Sequence, residues 1–125
     1  MKVLAVGAHP DDIEIFMYGL LSIYKKEGHK VFTMIATDGA KGGAITGKQL
    51  AQKRANETIN ALKKLSHPIF VNLPDGELGV ELEHRKIIKQ NILKLMPDLI
   101  ITHSENDYHA DHKSLSLITK RAVSH

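Results

Sequence analysis

The sequence predicts an α/β fold, a three-layer Rossmann-like domain around a parallel sheet, and three observations lead there. Short apolar runs alternate with segments of helical period from end to end, the pattern of β-α-β units. The 125 residues are 42% hydrophobic and 25% charged, enough apolar material for one packed domain and too much for a disordered chain. The most polar segments directly follow apolar runs, as loops leaving buried strands do.

Taken in order, Val3 to Val6 reads as the first strand. Ile13, Phe16, Met17, Leu20, Leu21 and Tyr24 then recur at helical spacing until Gly28 ends the helix. Val31 to Thr37 is the second strand and runs into a glycine-rich loop, Asp38 to Gly43. Thr46 and Gln49 have capping-box spacing, and Ala51, Ala55, Ile59 and Leu62 line one face of the helix they open. Ile69 to Val71 is a short third strand, and Leu73-Pro74-Asp75-Gly76 is turn chemistry. A helix on Ile88, Ile92 and Leu95 stops at Pro97. Leu99 to Thr102 is the fourth strand, and the last helix carries Leu115, Ile118 and Ala122 on one face. Four strands joined by short right-handed crossovers give the order 3-2-1-4, so strands 1 and 4 are neighbours and their following loops face each other across a crevice. Residues 1–125 read as a single domain.

Composition excludes several classes of function. No cysteine occurs, so there is no disulfide framework, thiolate metal site or thiol nucleophile, and a reducing cytoplasm is the expected setting. The longest mostly apolar stretch, Ile15 to Tyr24, is ten residues against the ~20 of a membrane span, and the run Val3 to Ala8 is too short for a secretory signal. The net charge of 17 Lys+Arg against 14 Asp+Glu is +3, without a basic cluster and with 5% aromatic residues, which argues against nucleic acid. The first loop, Gly7-Ala8-His9-Pro10-Asp11-Asp12, lacks the glycine fingerprint of dinucleotide sites and sets two carboxylates where a pyrophosphate would sit.

What remains is a histidine excess, 8 in the chain, three of them between residues 103 and 112. His9-Pro10-Asp11-Asp12 after strand 1 faces the loop from His103 to His112, which also holds Asp107, His109 and Asp111. Imidazole and carboxylate suit zinc or ferrous iron, and three protein ligands with one open position is the pattern of a catalytic metal. The plain alternative makes one of Asp11 and Asp12 a helix cap. His29, His67, His84 and His125 are expected to be ordinary solvated or hydrogen-bonded residues.

Ala8-His9-Pro10-Asp11-Asp12-Ile13-Glu14 and His109-Ala110-Asp111-His112 resemble the paired A-H-P-D-D-x-E and H-x-D-H motifs of the PIG-L/LmbE family of zinc-dependent deacetylases, which act on N-acetylglucosamine-type groups. The likeness continues in family order through Thr37-Asp38-Gly39, Arg54 with Glu57, Leu73-Pro74-Asp75-Gly76 and Pro97 to His103. The resemblance implies zinc held by His9, Asp12 and His112; the donor set by itself also suits ferrous iron. It implies Asp11 as general base, His109 as oxyanion stabiliser and proton donor to the leaving amine, and Asp111 as support for His109 or His112. Arg54 and Asp75 match positions that contact substrate hydroxyls, with a helix ion pair to Glu57 and a plain turn as their bland readings. Tyr108 is a candidate oxyanion donor, and Glu14 is assigned to the helix dipole. The implied substrate is a small N-acetylated amino sugar or its conjugate.

Where the family has a small, glycine-rich stretch after the first motif, this chain has Phe16-Met17-Tyr18-Gly19. The chain is also expected to be the amino-terminal part of a larger LmbE-like fold, with strand 4 an edge open to more chain or to a second copy in a homo-oligomer. A ferrous 2-His-1-carboxylate enzyme and a non-catalytic metal or carbohydrate-binding module are the rival functions.

Overall fold

A computed structural model describes residues 1–40, 47–78 and 81–123. The Thr46 capping box, the glycine loop beyond Ala40, and His125 lie outside the described residues. The elements are β1 (Lys2–Gly7), α1 (Asp12–Phe16), α2 (Tyr18–Lys26), β2 (Lys30–Thr37), α3 (Gly47–Leu62), β3 (Ile69–Leu73), α4 (Leu82–Leu95), β4 (Leu99–Ile101) and α5 (Ala110–Val123). The sheet is all parallel in the order β3-β2-β1-β4, as the crossover argument requires.

Side-chain alternation along β1 builds the layers. Leu4 and Val6 face a core that joins Met34, Ala36, Ile88, Ile92, Leu115, Ile118 and Ala122, beneath α4 and α5. Val3 and Ala5 face the opposite core, with Ile13, Met17, Leu21, Ile35, Leu62 and Leu65. The sheet is therefore covered on both faces.

Three local differences from the sequence reading have physical causes. The single helix expected from Ile13 to Tyr24 is two, broken at Met17, whose φ of −126° lies off helical values. The break keeps Ile13, Met17 and Leu21 fully or nearly buried, whereas a straight helix would swing residues four apart by about 40° per step. Phe16 and Leu20, expected in that buried stripe, are exposed instead. On α3 the inward face is Leu50, Thr58 and Leu62, with Ala51, Ala55 and Ile59 only half-buried. That rotation points Arg54 and Thr58 at the first loop, to Asp11 and Glu14. Strand β3 runs on to Leu73 through a register shift against β2. Asn72 makes it possible by taking φ +59°, a region asparagine tolerates better than other side chains.

Candidate metal centre

The site lies at the carboxyl ends of β1 and β4. Thr37 holds the β1 exit from one side, donating through its N–H and its Oγ1 to Ala8 O, both at 2.8 Å. Thr102 Oγ1 does the same to Val6 O at 2.8 Å. Beyond Ala8 the chain turns sharply at Asp11, which adopts φ +88°, a left-handed conformation that aspartate visits more readily than most residues. The turn folds Asp12 back so that its Oδ2 accepts the His9 N–H at 2.8 Å. Neither Asp11 nor Asp12 caps α1 with its side chain, so the capping alternative for this pair fails.

Asp12 Oδ2 is the meeting point. His9 Nδ1 lies 3.2 Å from it and His112 Nε2 3.1 Å, and the donor atoms of His9, Asp12 and His112 fall within 4.8 Å of one another. His112 Nδ1 donates to Asp107 Oδ2 at 3.0 Å, which leaves Nε2 as the lone-pair nitrogen. That Nε2 is buried and has no hydrogen-bond partner. An unsatisfied buried acceptor is costly, and here it shares its space with a second imidazole nitrogen and a carboxylate oxygen, the donor set of a divalent transition metal. The residues fit such an ion.

The surrounding groups orient these three. His9 Nε2 donates to Asp111 Oδ2 at 2.8 Å and has Asp75 Oδ1 at 3.2 Å, so its outer nitrogen keeps its proton and Nδ1 faces Asp12. Asp111 also accepts from Gly76 N at 2.9 Å and Leu78 N at 3.2 Å. Its carboxylate supports neither His109 nor His112, as had been expected; on the first turn of α5 it faces about 100° away from His112 and locks His9 to the β3–α4 turn. Asp107 is what supports His112. Hydrogen bonds of this kind fix tautomer and ring orientation in metal sites.

Burial resists the charged form of Asp12, but the His9 ring and the His9 N–H prevail and hold its carboxyl well below the usual range. Burial also pulls the His9 imidazole down, yet the bonds to Asp12 and Asp111 and the charges of Asp12 and Asp75 push it up to about 9. Asp107 is lowered, first by the His109 N–H and then by His112. Glu14 is raised by burial and by the Asp11 charge. Its Oε2 accepts from Thr58 Oγ1 at 3.2 Å, so it braces α1 against α3 in addition to standing in the first turn.

A cavity of about 300 Å³ opens over the cluster, lined by His9, Pro10, Asp11, Asp12, Gly39, Arg54, Asp75 and His109. Arg54 Nη1 lies 3.7 Å from Asp11 Oδ2. His109 sits edge-on to His9 with ring centroids 4.7 Å apart and stacks on His112 at 4.6 Å. Its Nδ1 accepts the Asp111 N–H at 3.2 Å, which places a ring proton on Nε2. Of the nine residues singled out from sequence, eight converge here. Tyr108 does not, its side chain being 98% exposed, because the loop turns on Asp107 and sends the neighbouring residue outward.

Two contributors escaped the sequence reading. Asp107 was seen only as part of a polar loop; its signal was its place five residues before His112, where its Oδ1 accepts the His109 N–H at 2.9 Å. His103 is buried, accepts the Ala8 N–H on Nε2 at 3.1 Å and stacks face to face on His112 at 3.8 Å. It backs the His112 ring and joins β4 to the β1 exit.

Comparison with known proteins agrees with this geometry. The chain is 31% identical over 134 aligned positions to a diacetylchitobiose deacetylase of Thermococcus kodakarensis, covering 98% of this chain and 49% of that protein. It is 28% identical to an uncharacterized deacetylase, YaiS, of Escherichia coli, over 97% of this chain and 69% of the other. The crystal structure of the N,N'-diacetylchitobiose deacetylase from Pyrococcus horikoshii superposes with a TM-score of 0.89 at 28% identity, covering 98% of this chain and 49% of that one. The chain thus spans about half the length of these two diacetylchitobiose deacetylases. The profile described as PIG-L, GlcNAc-PI de-N-acetylase, matches residues 4–123. With both motifs meeting at one cluster and the match running over nearly the whole sequence, the chain belongs to the PIG-L family.

Proposed function

We propose that this protein is a zinc-dependent hydrolase that removes the acetyl group from an N-acetylglucosamine-type amino sugar or its conjugate. The observation that carries the reading is the buried, unpartnered His112 Nε2 meeting His9 Nδ1 and Asp12 Oδ2. Those three residues would hold the ion, which when bound supplies the Lewis acidity that acidifies water and polarises an amide carbonyl.

The chain's own groups supply the rest. Asp11, on the cavity wall next to Asp12, takes the proton of the water that adds to the acetyl carbonyl. The carbonyl oxygen becomes anionic as the carbon turns tetrahedral, and His109, which lines the cavity, donates its Nε2–H to it. The C–N bond then breaks, the proton passes to the nitrogen, and acetate and a free amine leave. Asp111 and Asp107 are positioning residues, acting through His9 and His112. Arg54 and Asp75, which line the same cavity, bind sugar hydroxyls. The cysteine-free composition supports a reducing cytoplasm as the setting.

Acetate release from N-acetylglucosamine derivatives by dialysed and then zinc-restored protein tests the reading. His112→Ala is expected to abolish both tight metal binding and acetate release; full activity in that variant ends the mechanism. Asp11→Ala is expected to keep the metal and lose about 100-fold or more in kcat. Turnover that requires ferrous iron and consumes oxygen would favour the 2-His-1-carboxylate alternative.

A further inference from the structure

Asp11 sits on a left-handed turn and is held from one side. Its φ of +88° sets the direction of its Cα–Cβ bond, but the side chain makes no capping bond to α1 and is 47% exposed. Neither the helix nor close packing therefore fixes the carboxylate, although a general base must meet the proton it takes at roughly 2.6–3.2 Å. Its ion-pair partner among the described residues is Arg54, whose Nη1 lies 3.7 Å from Asp11 Oδ2.

Arg54 is itself anchored. Thr58, one turn further along α3, donates to Glu14, one turn beyond Asp11, so α3 meets this segment at two successive rungs. The Arg54 stem packs against Gly39, whose φ is +66° and where a Cβ would stand 3.0 Å from both Arg54 Cδ and Pro10 Cδ. A side chain at position 39 would push apart the segments that carry Arg54 and Asp11. An arginine whose stem is already confined loses little further freedom when its planar fork faces a carboxylate.

We propose that Arg54 is a positioning residue for Asp11, holding its carboxylate in the cavity in the orientation from which it takes a proton, with Gly39 as the spacer that lets the guanidinium reach. The proposal rests on the deacetylase reading for the proton transfer, and on the Arg54–Asp11 contact alone for the positioning. It gives Arg54 a duty beyond meeting sugar hydroxyls, and the two duties separate in kinetics.

Acetate release from N-acetylglucosamine is followed in zinc-loaded wild type, Arg54→Ala, Arg54→Lys, Asp11→Ala and the variant combining Asp11→Ala with Arg54→Ala, with zinc content measured in each. Arg54→Ala is expected to keep its zinc and to lose about 10- to 100-fold in kcat, the scale of a misplaced catalytic group. Arg54→Lys, which keeps the charge, should recover part of that loss. In the Asp11→Ala background the Arg54→Ala substitution should cost no more than about twofold in kcat, because the group it positions is gone. An Arg54 that only binds sugar raises KM and leaves kcat as it was; that result overturns the proposal, as does an equal kcat loss in both backgrounds or a loss of zinc from Arg54→Ala. Crystal structures of wild type and Arg54→Ala read the same contact without turnover. The Asp11 carboxylate is expected to leave its position when Arg54 is removed, and an unmoved carboxylate overturns the proposal. If wild type releases no acetate the deacetylase reading fails, while those two structures still decide the positioning.

Discussion

His9 sits among three carboxylates, Asp12, Asp75 and Asp111, at 2.8 to 3.2 Å, and its chemistry follows from that crowd. With its imidazole pushed up from 6.5 to about 9, the metal-free ring is protonated at neutral pH, and the proton on Nδ1 occupies the direction in which a ligand lone pair is needed. Metal binding must expel it. Apparent zinc affinity is therefore expected to rise with pH up to about 9, and binding at pH 7 to release about one proton from this ring, read by calorimetry in buffers of different ionisation enthalpy. The same shift has a stability consequence. A raised folded-state value stabilises fully below the unfolded 6.5 and is lost as pH climbs through about 9, so metal-free protein should lose part of its stability across that window. At this scale the sequence was informative about which residues cluster and less so about the groups that orient them. His9, Asp12 and His112 stand in two compact motifs, and Asp107 carries a local signal in its place five residues before His112, whereas the work of His103 shows only once β4 lies beside β1.

Elements show the same division between what is local and what is assembled. The stripes on α4 and α5 were legible because each helix packs one face on one core, and Ile88, Ile92, Leu115, Ile118 and Ala122 are buried as their spacing predicts. The α1–α2 region was misread because it has apolar residues on two faces, and spacing alone cannot say which face meets the sheet. Leu21 and Leu20 make the test. Leu21→Ala is expected to destabilise by about 2–5 kcal/mol, as for a large side chain removed from a packed core, and Leu20→Ala by less than about 1 kcal/mol, both read from denaturant midpoints. Similar losses at the two positions would contradict the break at Met17. On α3 the helix was found but its orientation was not, because Arg54 and Thr58 turn inward to partners some forty residues earlier, Asp11 and Glu14.

For the molecule as a whole, the strand order 3-2-1-4 could be deduced from short crossovers, and the site's place followed from the order. The residues that could hold an ion come from opposite ends of the described chain, residues 9 and 12 beside β1 and residue 112 on α5. A metal there ties the first and last elements together, so it should stabilise the entire fold. Zinc at a hundred times its Kd is expected to add about 2.7 kcal/mol to unfolding, seen as a rise in Tm that a chelator reverses and that His112→Ala lacks. An unchanged Tm on zinc addition would mean the cluster does not hold the ion.

An all-parallel sheet also has a second rim. The turn at Glu27, Gly28 and His29, where α2 returns to β2, lies at the amino ends of the strands, and a Cβ built on Gly28 meets nothing within 4 Å. No member of the metal cluster touches this edge. Tethering the protein to a bead or sensor through an engineered cysteine at Glu27, in a chain that has no native thiol to compete, would present the cavity outward, giving immobilised material of uniform orientation.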